Sequence, residues 1–219
     1  MSTVPYTSFY PEVLPFVHDC PTMVAQNAIR DACMDFCEET LFWKVDVPAQ
    51  TLTAAQTSYP MAGWLPASTD PVKIVQAWFG LTVLKPKTED ELNQMYGWFV
   101  WNQQLGMPLY YTQETRTDLI IVPSPDTTNA STNQLTAIIA VKPSRASTTV
   151  YDQIYEHFAE RIGHGARARL YQMAGQPFYD PKLAAHYQEM FDIGIAATKI
   201  QVNKSLTRAD VRIRNRRWT

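Results

Sequence analysis

The sequence predicts an α+β fold: an α-helical body built from an N-terminal helix and a C-terminal helical hairpin, an inserted antiparallel β module, and an extended C-terminal arm. Three observations predict it. Apolar residues recur at steps of three and four over residues 21–41 and again over 150–202, the period of a helix with one buried face. Between about residues 44 and 142 the pattern changes to short runs of Val, Ile, Trp, Phe and Tyr bounded by Gly, Pro, Asn and Ser. From Ser205 onward, apolar and basic residues alternate with no core pattern of their own. The expected organisation is 1–43 with 144–202 for the helical body, 44–143 for the β module and 203–219 for the arm.

The first helix is expected from Pro21 to Leu41, with Ala25, Ala28, Ile29, Ala32, Cys33, Phe36, Cys37 and Leu41 on its stripe. Pro21 suits the first turn, where a missing N–H costs nothing. Strands are expected near Val45–Val47, Val72–Thr82, Trp98–Trp101, Leu109–Thr112, Asp118–Val122 and Gln134–Lys142. A short helix is expected over Thr88–Met95, with Thr88 and Glu91 spaced as a capping box. The polar stretch Pro123–Asn133 reads as a long loop, a functional or mobile feature in a compact domain.

Helices return after Ser147. Thr149 and Asp152 have capping-box spacing, and Val150, Ile154, Phe158, Ile162, Ala166, Leu170 and Met173 follow at helical steps until Gly175 and Pro177. Asp180 and Pro181 open the next helix, with Leu183, Tyr187, Met190, Phe191, Gly194, Thr198 and Val202 on its stripe. So short a turn predicts an antiparallel hairpin. Gly163, Gly165 and Gly194, with Ala166, Ala168, Ala196 and Ala197, are expected to serve close helix packing, since each helical glycine costs about 1 kcal/mol relative to alanine.

Composition bounds the function. Of 219 residues 46% are hydrophobic and 12% aromatic, but only 18% are charged, below the roughly 25% of ordinary soluble domains. A surface covered by partners is the expectation. Disorder over most of the length is excluded. The longest apolar runs, such as Leu119–Val122 and Ala137–Val141, fall far short of the about 18 residues of a membrane span, and no signal peptide is readable. Three cysteines, with Cys33 and Cys37 on one helix face, argue against a disulfide framework and for folding in a reducing cytoplasm.

The net charge of −2 hides a sorting of charge. From Asn203 onward six bases (Lys204, Arg208, Arg212, Arg214, Arg216, Arg217) stand against Asp210, a net +5. Residues 1–202 carry thirteen bases and twenty acids, a net −7. Arginine and tryptophan are the residue types most enriched at binding hot spots, so Arg208, Arg212, Ile213, Arg214, Arg216, Arg217 and Trp218 are candidate partner-binding residues. The Val211–Arg214 alternation suits addition to a partner's sheet edge.

No reaction chemistry emerges, and neither enzyme activity, a cofactor nor a metal is expected. His18, His157, His164 and His186 are scattered, without metal-ligand spacing on one helix face. Gly163-His-Gly165 lies inside a helix and lacks the third glycine of a dinucleotide loop, and no GxxxxGK[ST] or GxSxG occurs. Acid pairs such as Glu38/Glu39 and Glu89/Asp90/Glu91 fall on polar faces. Trp98, Trp101, Tyr110 and Tyr111, with Trp64 and Trp78, could form a stacking platform or an assembly surface, core packing claiming at least half of them.

The stretch PEVLPFVHDCPTMVAQNAIRDACMDFCEETLFW resembles the opening of tailed-bacteriophage head-to-tail adaptor (connector) proteins, through Pro21, Phe36, Cys37, Thr40 and Trp43. Gly106-Met-Pro108 before a tyrosine strand, Pro123-Ser-Pro125-Asp126 and Val141-Lys142-Pro143 follow in the family's order. GHGARARLYQMAGQPFYDPKLAAHYQEMFDIGI is similar to its C-terminal hairpin. The resemblance covers roughly residues 10–202. It implies a structural virion protein: a homo-oligomeric, dodecameric ring at the virion neck that binds the portal protein, extends the channel for genomic DNA and offers a platform to tail or nozzle proteins. It implies assembly in the host cytoplasm, no membrane partner, and an arm that reaches the portal, with Trp98, Trp101, Tyr110 and Tyr111 towards the tail or a neighbour. A −7 body suits a wall along which DNA slides, since cationic walls bind phosphates. Two other readings stay open on the residues alone: a nucleic-acid-binding protein gripping phosphates with its arm, and a carbohydrate-binding virion module using the aromatic set.

Overall fold

The computed structural model describes residues 2–98 and 100–204, with the side chain of Lys204 left out. The described chain divides into two compact units, one formed by residues 2–42 and 150–204 and the other by 43–149. Its elements in chain order are β1 (Thr3–Pro5), a 3-10 stretch Tyr6–Glu12, α1 (Thr22–Thr40), β2 (Lys44–Thr51), β3 (Ser58–Pro60), β4 (Thr69–Phe79), β5 (Thr82–Val83), β6 (Lys85–Pro86), α2 (Glu89–Tyr96), β7 (Leu105–Gly106), β8 (Tyr110–Thr112), β9 (Asp118–Val122), β10 (Ser124–Pro125), α3 (Thr127–Thr132), β11 (Gln134–Pro143), β12 (Thr149–Tyr151), α4 (Asp152–Tyr171) and α5 (Pro181–Lys204). Helices and antiparallel sheets together make the predicted α+β fold.

In the helical unit α4 is the central element, packed by α1, α5 and the 3-10 stretch. The stripes on α1 and α4 are the core: Ala25, Ile29, Ala32, Cys33 and Phe36 meet Ile154, Phe158, Ile162, Ala166 and Leu170, all buried. Pro21 stands at the cap of α1 rather than in its first turn, accepting from the N–H groups of Val24 and Ala25. Leu41 ends the helix in the left-handed region at φ 52°, its N–H donating to the Cys37 carbonyl. Burial pushes the Cys33 thiol well above its usual range, so it behaves as a small apolar side chain.

Three expectations for this unit need correction. Thr149 does not cap α4: it opens β12, which pairs with β1, and the helix starts three residues later at Asp152. Sheet pairing satisfies this backbone before a side-chain cap can. Helix α4 also ends at Tyr171, short of Gly175, which supplies the positive φ (82°) of the turn. On α5, Leu183 and Met190 are exposed, and the buried face is Ala184, Phe191, Gly194, Ile195 and Thr198. The start of α5 is as expected, with Asp180 accepting from the N–H groups of Lys182 and Leu183 at 2.9 and 3.1 Å.

The second unit holds two four-stranded sheets, ordered β2-β11-β4-β5 and β3-β9-β8-β6. In the first, β11 is antiparallel to both neighbours, placing Ile139 opposite Val45 and Ile74. Alternation along the strands buries Val45, Val47, Ile74, Ala77, Leu135, Ala137 and Ile139. In the second, β8 and β9 are antiparallel, while the β6–β8 pairing is parallel. Helix α2 begins with the predicted capping box: Thr88 Oγ1 accepts from the Glu91 N–H at 3.3 Å, and the Thr88 N–H donates to the Glu91 carboxylate at 3.1 Å.

Two segments of this unit differ from expectation. The strand expected over Trp98–Trp101 is not seen at its described residues: Trp98 and Val100 sit in turns and Trp101 opens a 3-10 turn. Pro123–Asn133 is not an irregular loop. It contains β10 and α3, and Asp126 caps α3 by accepting from the Asn129 N–H at 2.7 Å.

Candidate interaction surfaces

The arm residues Arg208, Arg212, Ile213, Arg214, Arg216, Arg217 and Trp218 lie outside the described residues. The aromatic set of the β module divides sharply. Trp101 is 3% exposed, packed with Leu92, Ile120 and Val122, and its Nε1–H donates to Asn93 Oδ1 at 2.9 Å. Tyr111 is buried as well, whereas Trp98 is 77% exposed and Tyr110 is half-buried. Trp101 and Tyr111 are therefore core residues, which leaves Trp98 and part of Tyr110 on the surface. A groove of about 370 Å³ beside Trp101 holds the carboxylates of Glu89 and Glu114, and burial followed by Glu89 raises the Glu114 pKa.

The small residues of the helical hairpin are not equivalent. A Cβ on Gly165 would lie 2.8 Å from the Phe191 ring, and one on Gly194 would lie 3.1 Å from the Arg161 side chain. A Cβ on Gly163 would instead meet Glu12 of the 3-10 stretch, at 2.9 Å. Ala166 is buried but Ala197 is exposed, so Ala197 takes no part in the hairpin contact.

Arg167 is buried between two rings, its guanidinium 4.2 Å from the centre of Phe16 and 4.6 Å from that of Tyr187. It also donates to the Gly163 carbonyl at 3.2 Å. Its neighbour His164 is half-buried, 3.7 Å from a Glu160 carboxylate oxygen. Burial and then the Arg167 charge lower the His164 pKa below its ordinary 6.5, against a smaller opposing pull from Glu160. The unfolded chain therefore binds more protons than the folded one in this window. Stability is full above about 6.5, falls as pH drops through that value, and levels off below the folded pKa. His164→Gln is expected to flatten this part of a melting-temperature profile taken between neutral and mildly acidic pH.

Helices α1 and α5 enclose a groove of about 400 Å³ lined by Asp35, Glu38, Glu39, Phe191, Asp192, Ile195 and Lys199 among others. Arg169 pairs with Asp35 and Lys199 with Glu39. The floor is apolar and the rim carries four carboxylates against these two cations. Among the described residues no group of three or more His, Cys, Asp or Glu side chains is placed to hold a metal ion, and no helix is long and apolar enough to cross a membrane.

The chain carries exposed apolar and aromatic side chains on both units and a groove of mixed character between α1 and α5. Its family is explicit: the model of the SU10 adaptor protein family matches residues 10–216, and the chain belongs to this family of phage adaptors. No curated protein matches the chain. The family match runs well past residue 202, where the sequence resemblance stops, and takes in most of the basic arm.

Proposed function

We propose that this chain is a head-to-tail adaptor subunit that forms a ring, dodecameric as the resemblance implies, at the virion neck. The ring binds the portal protein, continues the channel for the genomic DNA and carries tail or nozzle proteins. The observation that carries this reading is the family match, because it extends through the arm to Arg216. The +5 charge of residues 203–219 against the −7 of the rest makes the arm the element suited to grip portal. Catalysis has no part in this role.

The test is co-sedimentation with purified portal particles. Deleting Arg208–Thr219 is expected to leave the far-ultraviolet circular dichroism unchanged and to abolish attachment. Undiminished co-sedimentation of the truncated chain overturns the anchoring role.

A further inference from the structure

Helix α5 is apolar on two faces. Opposite its buried side, Leu183, His186, Met190, Ile193, Ala197 and Ile200 follow one another at steps of three, four, three, four and three, and all are exposed. That is the spacing of a seam that packs on another helix. Ile193 and Ile200 are 57% and 56% exposed, whereas a surface helix ordinarily turns its polar face outward.

The seam and the α1–α5 groove occupy different flanks of the same helix. Met190 of the seam and Asp192 of the groove point roughly 160° apart at 3.6 residues per turn. The two surfaces are unlike in character: the seam is mostly apolar and without net charge, and the groove has an acidic rim over an apolar floor. The polar member of the seam is His186, exposed Lys182 flanks its start and Glu189 its margin, whereas the groove rim holds twice as many carboxylates as cations. Unlike surfaces on opposite flanks make a head-to-tail contact, which closes into a ring when the rotation permits. Seam-to-seam pairing would instead be two-fold and stop at a dimer.

Size favours a ring over a free pair. Helix α5 has 24 residues; at 1.5 Å per residue and about 10 Å of width it covers roughly 360 Å² per partner. Stable pairs bury about 800 Å² per partner. One such contact is weak alone, but a subunit in a closed ring is held on both flanks at once, and the second contact forms at high effective concentration.

We propose that the α5 seam of one copy packs into the α1–α5 groove of the next, an assignment that rests on the adaptor-ring reading. The experiment uses the full chain with Cys20→Ser, since Cys33 and Cys37 are buried, and a short thiol-specific cross-linker at high protein concentration. The Met190→Cys/Asp192→Cys double variant is expected to give a ladder of dimers, trimers and larger species, and neither single variant should exceed the parent. Adding Ile193→Asp should remove the ladder with circular dichroism unchanged. Dimers from Met190→Cys alone overturn the proposal in favour of seam-to-seam pairing. Absence of any ladder also overturns it, and co-sedimentation of the same variants with portal then shows whether the adaptor reading itself stands.

Discussion

Phe158→Ala is expected to lower the stability of the helical unit by about 3–5 kcal/mol, the range for truncating a buried aromatic. The ring is a hub. Its centre lies 5.0 Å from that of Phe36 and 4.8 Å from that of Phe42, and the Arg161 guanidinium sits 5.2 Å away. Neighbouring side chains are poorly placed to refill the space, because Ile154 and Ile162 are fixed one turn away on the same helix and Phe36 is already fully buried on α1. The two units can be followed separately during urea unfolding. Five of the six tryptophans (Trp43, Trp64, Trp78, Trp98 and Trp101) belong to residues 43–149, whereas the long helices belong to the other unit. The circular dichroism midpoint should fall strongly, and a loss under about 1 kcal/mol would contradict the hub assignment. Phe158→Ala should also weaken cross-linking, but through loss of fold. Ile193→Asp should do so with the fold intact.

What the sequence showed and what it hid follow one physical divide. Features whose causes are local were legible: the α1 and α4 stripes, the Thr88–Glu91 box, the Asp180 cap and strand β9 at Asp118–Val122. Features decided by distant partners were not. Tyr6 and Phe9 are fully buried, yet they sit in a proline-interrupted stretch with no period to read. Trp98–Trp101 has strand composition, but Trp101 is held by Leu92, Ile120 and Asn93 instead. The candidate interface shows the same limit. The charge of the arm can be counted in the sequence. On α5, however, two apolar faces were merged into one stripe, and only the packing of Phe191 and Gly194 against α4 tells them apart.

Gly165→Leu is the second substitution expected to act strongly, and its sign is a contest between propensity and packing. Leucine is the better helix former, which returns up to about 1 kcal/mol in a helix interior. Against this, the first added carbon already lies 2.8, 2.9 and 3.0 Å from three atoms of the Phe191 ring, closer than van der Waals contact allows. That ring is buried and has the Arg169 guanidinium 5.6 Å from its centre, while Arg169 also donates to the Gly165 carbonyl at 2.7 Å. Moving Phe191 therefore disturbs the contact between α4 and α5 and the floor of the α1–α5 groove together. Overpacking costs about 1–3 kcal/mol for a few carbons, and a whole isobutyl group belongs at or above the upper end. The expected net loss is about 2 kcal/mol or more, read from the same urea transition. Combining it with Phe191→Ala should recover part of that loss, a coupling that a double-mutant cycle measures directly. Gly163→Ala should show no such rescue, because its added carbon meets Glu12 rather than Phe191. Equal rescue at both positions would mean that the hairpin relaxes as a whole instead of through the Gly165–Phe191 contact.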